Sequence, residues 1–128
     1  MKFPSELKYT KDHEWAKASG TTITVGVTDH AQSALGDIVF VELPAVGRTL
    51  KVGETFGVVE SIKAVSDLYS PIAGKVVEVN SGLTDDPSRI NKDPYSDAWI
   101  VKIEAADASA ISGLMDSASY TKLVESLK

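Results

Sequence analysis

The chain has 128 residues, 43% of them hydrophobic and 24% charged, the make-up of one globular domain spanning residues 1–128. Thirteen Lys and Arg against eighteen Asp and Glu leave a net charge of −5, a field that repels phosphate backbones and anionic lipid, so nucleic acid and membrane surfaces are not expected partners. No cysteine is present, which removes disulfides, thiol catalysis and thiolate metal sites together. Met1 to Thr10 shows no apolar stretch behind a basic start, and no run of eighteen apolar residues occurs, so a soluble, cytoplasmic protein is expected.

In chain order, Tyr9 to Ala18 is extended and Ser19-Gly20 turns into the alternating run Thr22 to Val27, a first hairpin. Thr28 or Asp29 can cap a two-turn helix, with Gln32 as a capping-box partner and Gly36 as a left-handed stop. Ile38-Val39-Phe40-Val41 is apolar at every position and is expected to be a strand covered on both faces, ending at Pro44. Arg48 to Asn80 is rich in β-formers punctuated by Gly53, Gly57, Pro71 and Gly74, and Gly57-Val58-Val59-Glu60 is echoed by Gly74-Lys75-Val76-Val77-Glu78. Ser81 to Pro94 reads as a loop with one helical turn near Pro87 to Ile90. Ala98 to Glu104 returns to strand alternation, and Asp116 or Ser117 caps a last helix with a stripe of Tyr120, Leu123, Val124 and Leu127. The pattern is a small β-sandwich or barrel with helical additions.

Between the echoing units lies Glu60-Ser61-Ile62-Lys63-Ala64-Val65-Ser66-Asp67. It holds no Gly, Asn or Pro, and propensity alone makes Phe56 to Tyr69 one long strand or a helix. A type I turn, which accepts most residues, is needed to fold it back. Lys63 would then stand at a hairpin tip as an exposed amine on a flexible stem, open to an acylating enzyme. By residue chemistry alone the plainer reading, a solubilising charge, outweighs that one. His13 and His30, flanked by Asp12, Glu14 and Asp29, show no metal-ligand spacing and lie on different elements, so no metal site is expected.

The same octapeptide followed by Tyr69-Ser70-Pro71-Ile72-Ala73-Gly74 resembles the lipoyl-lysine segment of the glycine cleavage system H proteins. So do His13-Glu14-Trp15, Gly26 to Gln32, Leu35 to Pro44, and Asp93-Pro94-Tyr95 with Trp99, in the same order, from about Leu7 to Leu127. The resemblance implies a mainly β fold, a barrel-sandwich hybrid (hammerhead) of two small antiparallel sheets, with a short helix near Asp29 and a C-terminal helix. It implies lipoic acid as an amide on Lys63, with Glu60, Ser61, Ile62, Ala64 and Asp67 forming the turn that lipoylating enzymes recognise. The implied role is a non-catalytic carrier. A pyridoxal-phosphate glycine decarboxylase loads the aminomethyl group of glycine on the arm, an aminomethyltransferase removes it, and dihydrolipoyl dehydrogenase reoxidises the dithiol; tethering supplies proximity. Carboxylates near the docked arm would favour its amine, and Glu14 and Asp67 are the implied candidates, with His30 close to the arm and Asp12 a weaker choice. A monomer is the simplest state for such a shuttle.

Two departures from the family pattern stand out. Ser96-Asp97-Ala98 replaces mostly glycine before Trp99, a change costing up to a few kcal/mol if positive φ is needed there. Arg89 stands where an aliphatic residue is usual. Biotin carriers normally flank the lysine with methionine rather than Ile62 and Ala64, and a 2-oxoacid dehydrogenase lipoyl domain would carry a Pro/Ala-rich linker. A relay of lipoyl or octanoyl groups to other proteins, and an unmodified interaction domain, remain as alternatives. A Schiff-base lysine needs a desolvated pocket, and a polar turn beside Glu60 and Asp67 is the opposite environment.

Overall fold

A computed structural model describes residues 1–127. Nine strands form two antiparallel sheets. In chain order they are β1 (Lys8–Tyr9), β2 (Glu14–Ser19), β3 (Thr22–Val27), β4 (Ile38–Glu42), β5 (Thr49–Leu50), β6 (Thr55–Ser61), β7 (Val65–Tyr69), β8 (Gly74–Val79) and β9 (Val101–Ala105). The larger sheet runs β1-β2-β3-β9-β8-β5 and the smaller β4-β6-β7. Helices α1 (Asp29–Leu35), α2 (Gly82–Asp85), α3 (Arg89–Lys92) and α4 (Ser117–Ser126) and a 3-10 helix at Ala108–Gly113 complete the fold. The expected mainly β, two-sheet architecture with a helix at Asp29 and a C-terminal helix is the observed one.

The main core lies between the sheets, where Ile23, Val25, Ile103 and Val76 of the large sheet meet Val41, Val59 and Leu68 of the small one. A second cluster, Leu7, Tyr9, Trp15, Tyr120 and Val124, packs α4 beside β1 and β2, with Tyr9 and Tyr120 stacked at 4.7 Å between centroids. Trp15 crosses the strand pair over Gly26, where a Cβ would meet the indole at 2.6 Å, and its Nε1 donates to the Pro94 carbonyl at 2.9 Å. The echo seen in the sequence has a physical counterpart. A Cβ at Gly57 would collide with the Glu42 carbonyl and one at Gly74 with the Glu104 carbonyl, so each glycine lets a neighbouring strand come close.

Several expectations are corrected. Tyr9 to Ala18 is two strands broken by a tight turn that holds His13 at φ 69°, the sole positive φ outside glycine among the described residues. Ser81 to Pro94 forms two helical turns rather than one. The Thr28 hydroxyl caps α1 by accepting from Ala31 N, whereas Gln32 donates to the Asp29 carboxylate instead of closing a capping box. Gly36 ends α1 at φ 82°, ψ −156°, a positive φ outside the left-handed helical well. In α4 the Asp116 carboxylate caps Ser119 N, and Leu127 falls beyond the last turn and is exposed.

The strand expected to be covered on both faces is not. Ile38 and Val41 are buried, but Val39 is 54% and Phe40 47% exposed. The cause is topological: β4 is an edge strand, and a bulge between Ile38 and Phe40 turns Val39 outward. The Ser96-Asp97-Ala98 loop needs no positive φ, with Ala98 N donating to the Asp93 carbonyl at 3.1 Å. The two departures from the family pattern meet each other there, Arg89 Nε lying 3.8 Å from Asp97 Oδ2.

Candidate functional site

Lys63 stands at the tip of the β6–β7 hairpin. Paired strands end at Glu60 and Val65, leaving Ser61-Ile62-Lys63-Ala64 to reverse the chain. No residue of this tip has positive φ, so the mirror-image turns usual in short hairpins are excluded and the turn chemistry comes from a side chain. The Ser61 hydroxyl accepts from Lys63 N at 3.2 Å and Ala64 N at 3.0 Å, while Ser61 N donates to the Ala64 carbonyl at 2.8 Å. This answers how a segment without Gly, Asn or Pro reverses.

The tip is anchored from below. Ile62 N donates to the Asp37 carbonyl at 3.1 Å, and Asn91 ties that connection to α3 through Ile38 N, the Gly36 carbonyl and Gln32 Oε1. The Lys63 stem lies over Gly36, where a Cβ would sit 3.4 Å from Cε. Ile62 is 72% exposed and Ala64 is exposed. Among the described residues Lys63 has no ion-pair partner.

From the tip, β7 places Val65, Asp67 and Tyr69 on its outer side, alternating with Ser66 and the buried Leu68. Asp67 is exposed on this path. At its far end Tyr69 lines a cavity of about 260 Å³ with Glu14, Asp12, Thr10 and the apolar Val52, Pro71 and Leu114. Glu14 is only 2% exposed. Its carboxylate accepts from Thr10 Oγ1 at 2.7 Å and from Tyr69 N at 3.2 Å. Burial nevertheless outweighs those bonds and pushes its carboxyl up to about 7. A buried carboxylate thus stands at the wall of a largely apolar cavity.

His30 lies on the first turn of α1, at the opposite end of that helix from Gly36 and the Lys63 stem. Its ring faces His13 at 4.6 Å, and its Nδ1 is buried without a hydrogen-bond partner. His13 Nδ1 lies 2.8 Å from the Tyr120 hydroxyl, itself 2.7 Å from Thr28 Oγ1. Burial first, and His30 second, hold the His13 imidazole below its ordinary range. The fold thus brings together two histidines that lie on separate elements, though no third His, Cys, Asp or Glu joins them as a ligand set among the described residues.

The structure therefore gathers Glu60, Ser61, Ile62, Lys63 and Ala64 at the tip, joins Asp67 to Glu14 along β7, and sets His30 apart with His13. Sequence reading passed over Tyr69 and Thr10. Tyr69 could have been found, since it shares a strand face with Asp67; Thr10 reaches Glu14 across the β1–β2 turn, and nothing local announces it.

The architecture defines a class: a two-sheet domain that holds a single lysine at an anchored hairpin tip and leaves its amine open. The family model described as Glycine cleavage H-protein matches residues 7–127. The chain is 59% identical to the glycine cleavage system H protein of Myxococcus xanthus over 95% of each chain. It is 50% identical to that of Bacteroides thetaiotaomicron, over 97% of this chain and 98% of the other. The crystal structure of a glycine cleavage system H protein from Mycobacterium marinum superposes with a TM-score of 0.89 at 40% identity, covering 96% of this chain and 99% of that one. The chain belongs to the glycine cleavage H-protein family.

Proposed function

We propose that this protein is a non-catalytic lipoyl carrier that serves the glycine decarboxylase, the aminomethyltransferase and the dihydrolipoyl dehydrogenase of the glycine cleavage system in turn, working as a cytoplasmic monomer. The observation that carries the reading is Lys63, an amine with no ion-pair partner among the described residues, at a hairpin tip fastened through Asp37 and Asn91.

The site suits a lipoyl group on three grounds. The amine is reachable without opening the core. The outer side of β7 leads from the tip toward the cavity over about 14 Å, comparable to the reach of a lysine extended by an eight-carbon acyl chain, about a dozen bonds at roughly 1.2 Å each. The cavity joins apolar walls to the Glu14 carboxylate. When attached, lipoate supplies a dithiolane that accepts the aminomethyl unit from one enzyme, yields it to the next and is restored from dithiol to disulfide by the third.

The chain's own residues do the rest. Ser61 shapes the turn, and Glu60, Ile62, Ala64 and Asp67 present it to lipoylating enzymes. Gly36 gives the Lys63 stem room. Glu14, buried and without an ion-pair partner among the described residues, would hold a protonated amine brought into the cavity, and Asp67 sits on the route there. His30 stands apart from this route, paired with His13 on the Tyr120 side of the fold. Reconstitution of glycine cleavage with the three enzymes tests the reading. Wild-type protein recovered with its lipoyl group supports turnover and Lys63→Arg supports none; turnover with Lys63→Arg would overturn it.

A further inference from the structure

Thr10 to His13 form a tight turn, closed by His13 N donating to the Thr10 carbonyl at 3.1 Å and by Thr10 N donating to the Glu14 carbonyl at 3.0 Å. The turn ends on a residue at positive φ, a position that glycine ordinarily fills in a hairpin loop of this kind. Here the residue is His13, at φ 69°. A side chain on such a backbone costs free energy that glycine is spared, and the cost persists where surrounding groups impose it and the side chain has a task.

Two helices hold the His13 ring. Its Nδ1 lies 2.8 Å from the Tyr120 hydroxyl of α4, which lies 2.7 Å from Thr28 Oγ1. Thr28 Oγ1 also accepts from Ala31 N at 3.2 Å, and Thr28 N donates to the His13 carbonyl at 3.0 Å. His30 of α1 packs against the ring at 4.6 Å between centroids. Tyr120 is fully buried and stacked on Tyr9, so these bonds end on a rigid element rather than in solvent.

The same turn carries the cavity wall. Thr10 Oγ1 donates to the Glu14 carboxylate at 2.7 Å and accepts from Glu14 N at 3.1 Å, so the direction of that carboxylate follows the turn. A charged group keeps its aim only when the residues that grip it are themselves fixed. We propose that His13 is a positioning residue for Glu14: its ring, pinned by Tyr120 and Thr28 and backed by His30, locks the Thr10–His13 turn and holds the Glu14 carboxylate at the cavity wall, so that α4 governs how firmly a protonated amine on the arm is kept. The identity of that amine rests on the carrier reading; the locking of the turn does not.

Two readouts test it. The first is the ionisation of Glu14 in unmodified protein, followed by carbon-13 NMR of its carboxyl across pH. Tyr120→Phe keeps the stacked ring and removes the hydroxyl, and His13→Gly supplies the residue that the turn's backbone prefers while removing the imidazole. Both should remain folded by dichroism, yet admit water to Glu14 and lower its midpoint from about 7 toward 4.5. Val124→Ala, which loosens the packing of α4 without touching the hydroxyl, should leave that midpoint in place. The second readout is the half-life of the aminomethyl group on lipoylated protein loaded by glycine decarboxylase and then separated from it. Its loss takes up one water and releases formaldehyde, ammonia and the arm's thiol. Glu14→Gln should shorten the half-life about tenfold, as expected for a lost bond to a charged group, and Tyr120→Phe and His13→Gly about fivefold. Wild-type midpoints in both variants, or wild-type half-lives in both, would overturn the proposal. An equal effect of Val124→Ala would overturn it too, by moving the cause from the ring to the helix packing at large. A chain that takes up no lipoyl group would instead remove the carrier reading, and the titration would still decide whether His13 positions Glu14.

Discussion

Glu14 is a carboxylate that the folded chain prefers to keep protonated. Its carboxyl rises to about 7 in the fold against an ordinary value of 4.5. Between those values the folded state binds the extra proton, so this residue's contribution to stability is lost as pH rises through that window and stays lost above it. Glu14→Gln removes the penalty. The variant should gain stability over wild type progressively from about pH 4.5 to about 7 and hold a gain of about 1 to 3 kcal/mol at pH 8, read from urea midpoints across pH. A gain of equal size at pH 4 would contradict the assignment. His13 works in the opposite sense: its imidazole titrates below the ordinary 6.5, so its contribution is lost as pH falls through that value. In the Glu14→Gln background stability should therefore rise toward pH 6.5.

Residues differ in how far their neighbours in sequence reveal them. Lys63 is legible because its flanking blocks are collinear with a family. Glu14 is legible by resemblance, but its burial and its bond from Tyr69 N arise from a contact between strands distant in the chain. Phe40 was misread, because four apolar residues in a row look the same on a buried strand and on a bulged edge strand.

At the scale of elements, the hairpin turns on one hydroxyl. Ser61→Ala leaves Lys63 N and Ala64 N without their acceptor and should cost about 1 to 2 kcal/mol, with faster amide exchange confined to the tip. Gly36→Ala places a side chain on a backbone at φ 82° and crowds the Lys63 stem. It should lose about 1 to 3 kcal/mol and slow acylation of Lys63 together, whereas Gly20→Ala, also at positive φ but in open space, should lose stability alone. Strands and caps were largely readable from alternation and from Asp116 or Thr28 standing before apolar stripes. The reversal at Ser61 was not, because a serine hydroxyl is a weaker turn signal than glycine or proline and its effect depends on the strands already being paired. The Ser96-Asp97-Ala98 loop needs no glycine because none of its residues takes a positive φ; Asn80 Nδ2, just after β8, donates to the carbonyls of Asp97 and of Trp99 beyond it.

For the whole molecule, two sheets close over one core and a second aromatic cluster fastens α4 to β1 and β2. A chain of this size should unfold in one step, so the fluorescence of Trp15 and Trp99, both packed at the second cluster, and far-ultraviolet dichroism should give coincident transitions. Tyr120→Phe keeps the stacked ring but removes the hydroxyl shared by His13 and Thr28, and should shift both transitions together by about 1 to 2 kcal/mol. Two-sheet architecture follows from the spacing of short strands, whereas the order β1-β2-β3-β9-β8-β5 does not, since β9 pairs with β3 across most of the chain.

The central claim is that this scaffold exists to present Lys63 for modification. Intact mass followed by peptide mapping of the protein recovered from cells tests it most directly. The account predicts a lipoyl adduct on the peptide that carries Lys63 and on no other lysine. A protein that is persistently unmodified at Lys63 in cells with active glycine cleavage, or that carries its adduct on another lysine, would contradict it.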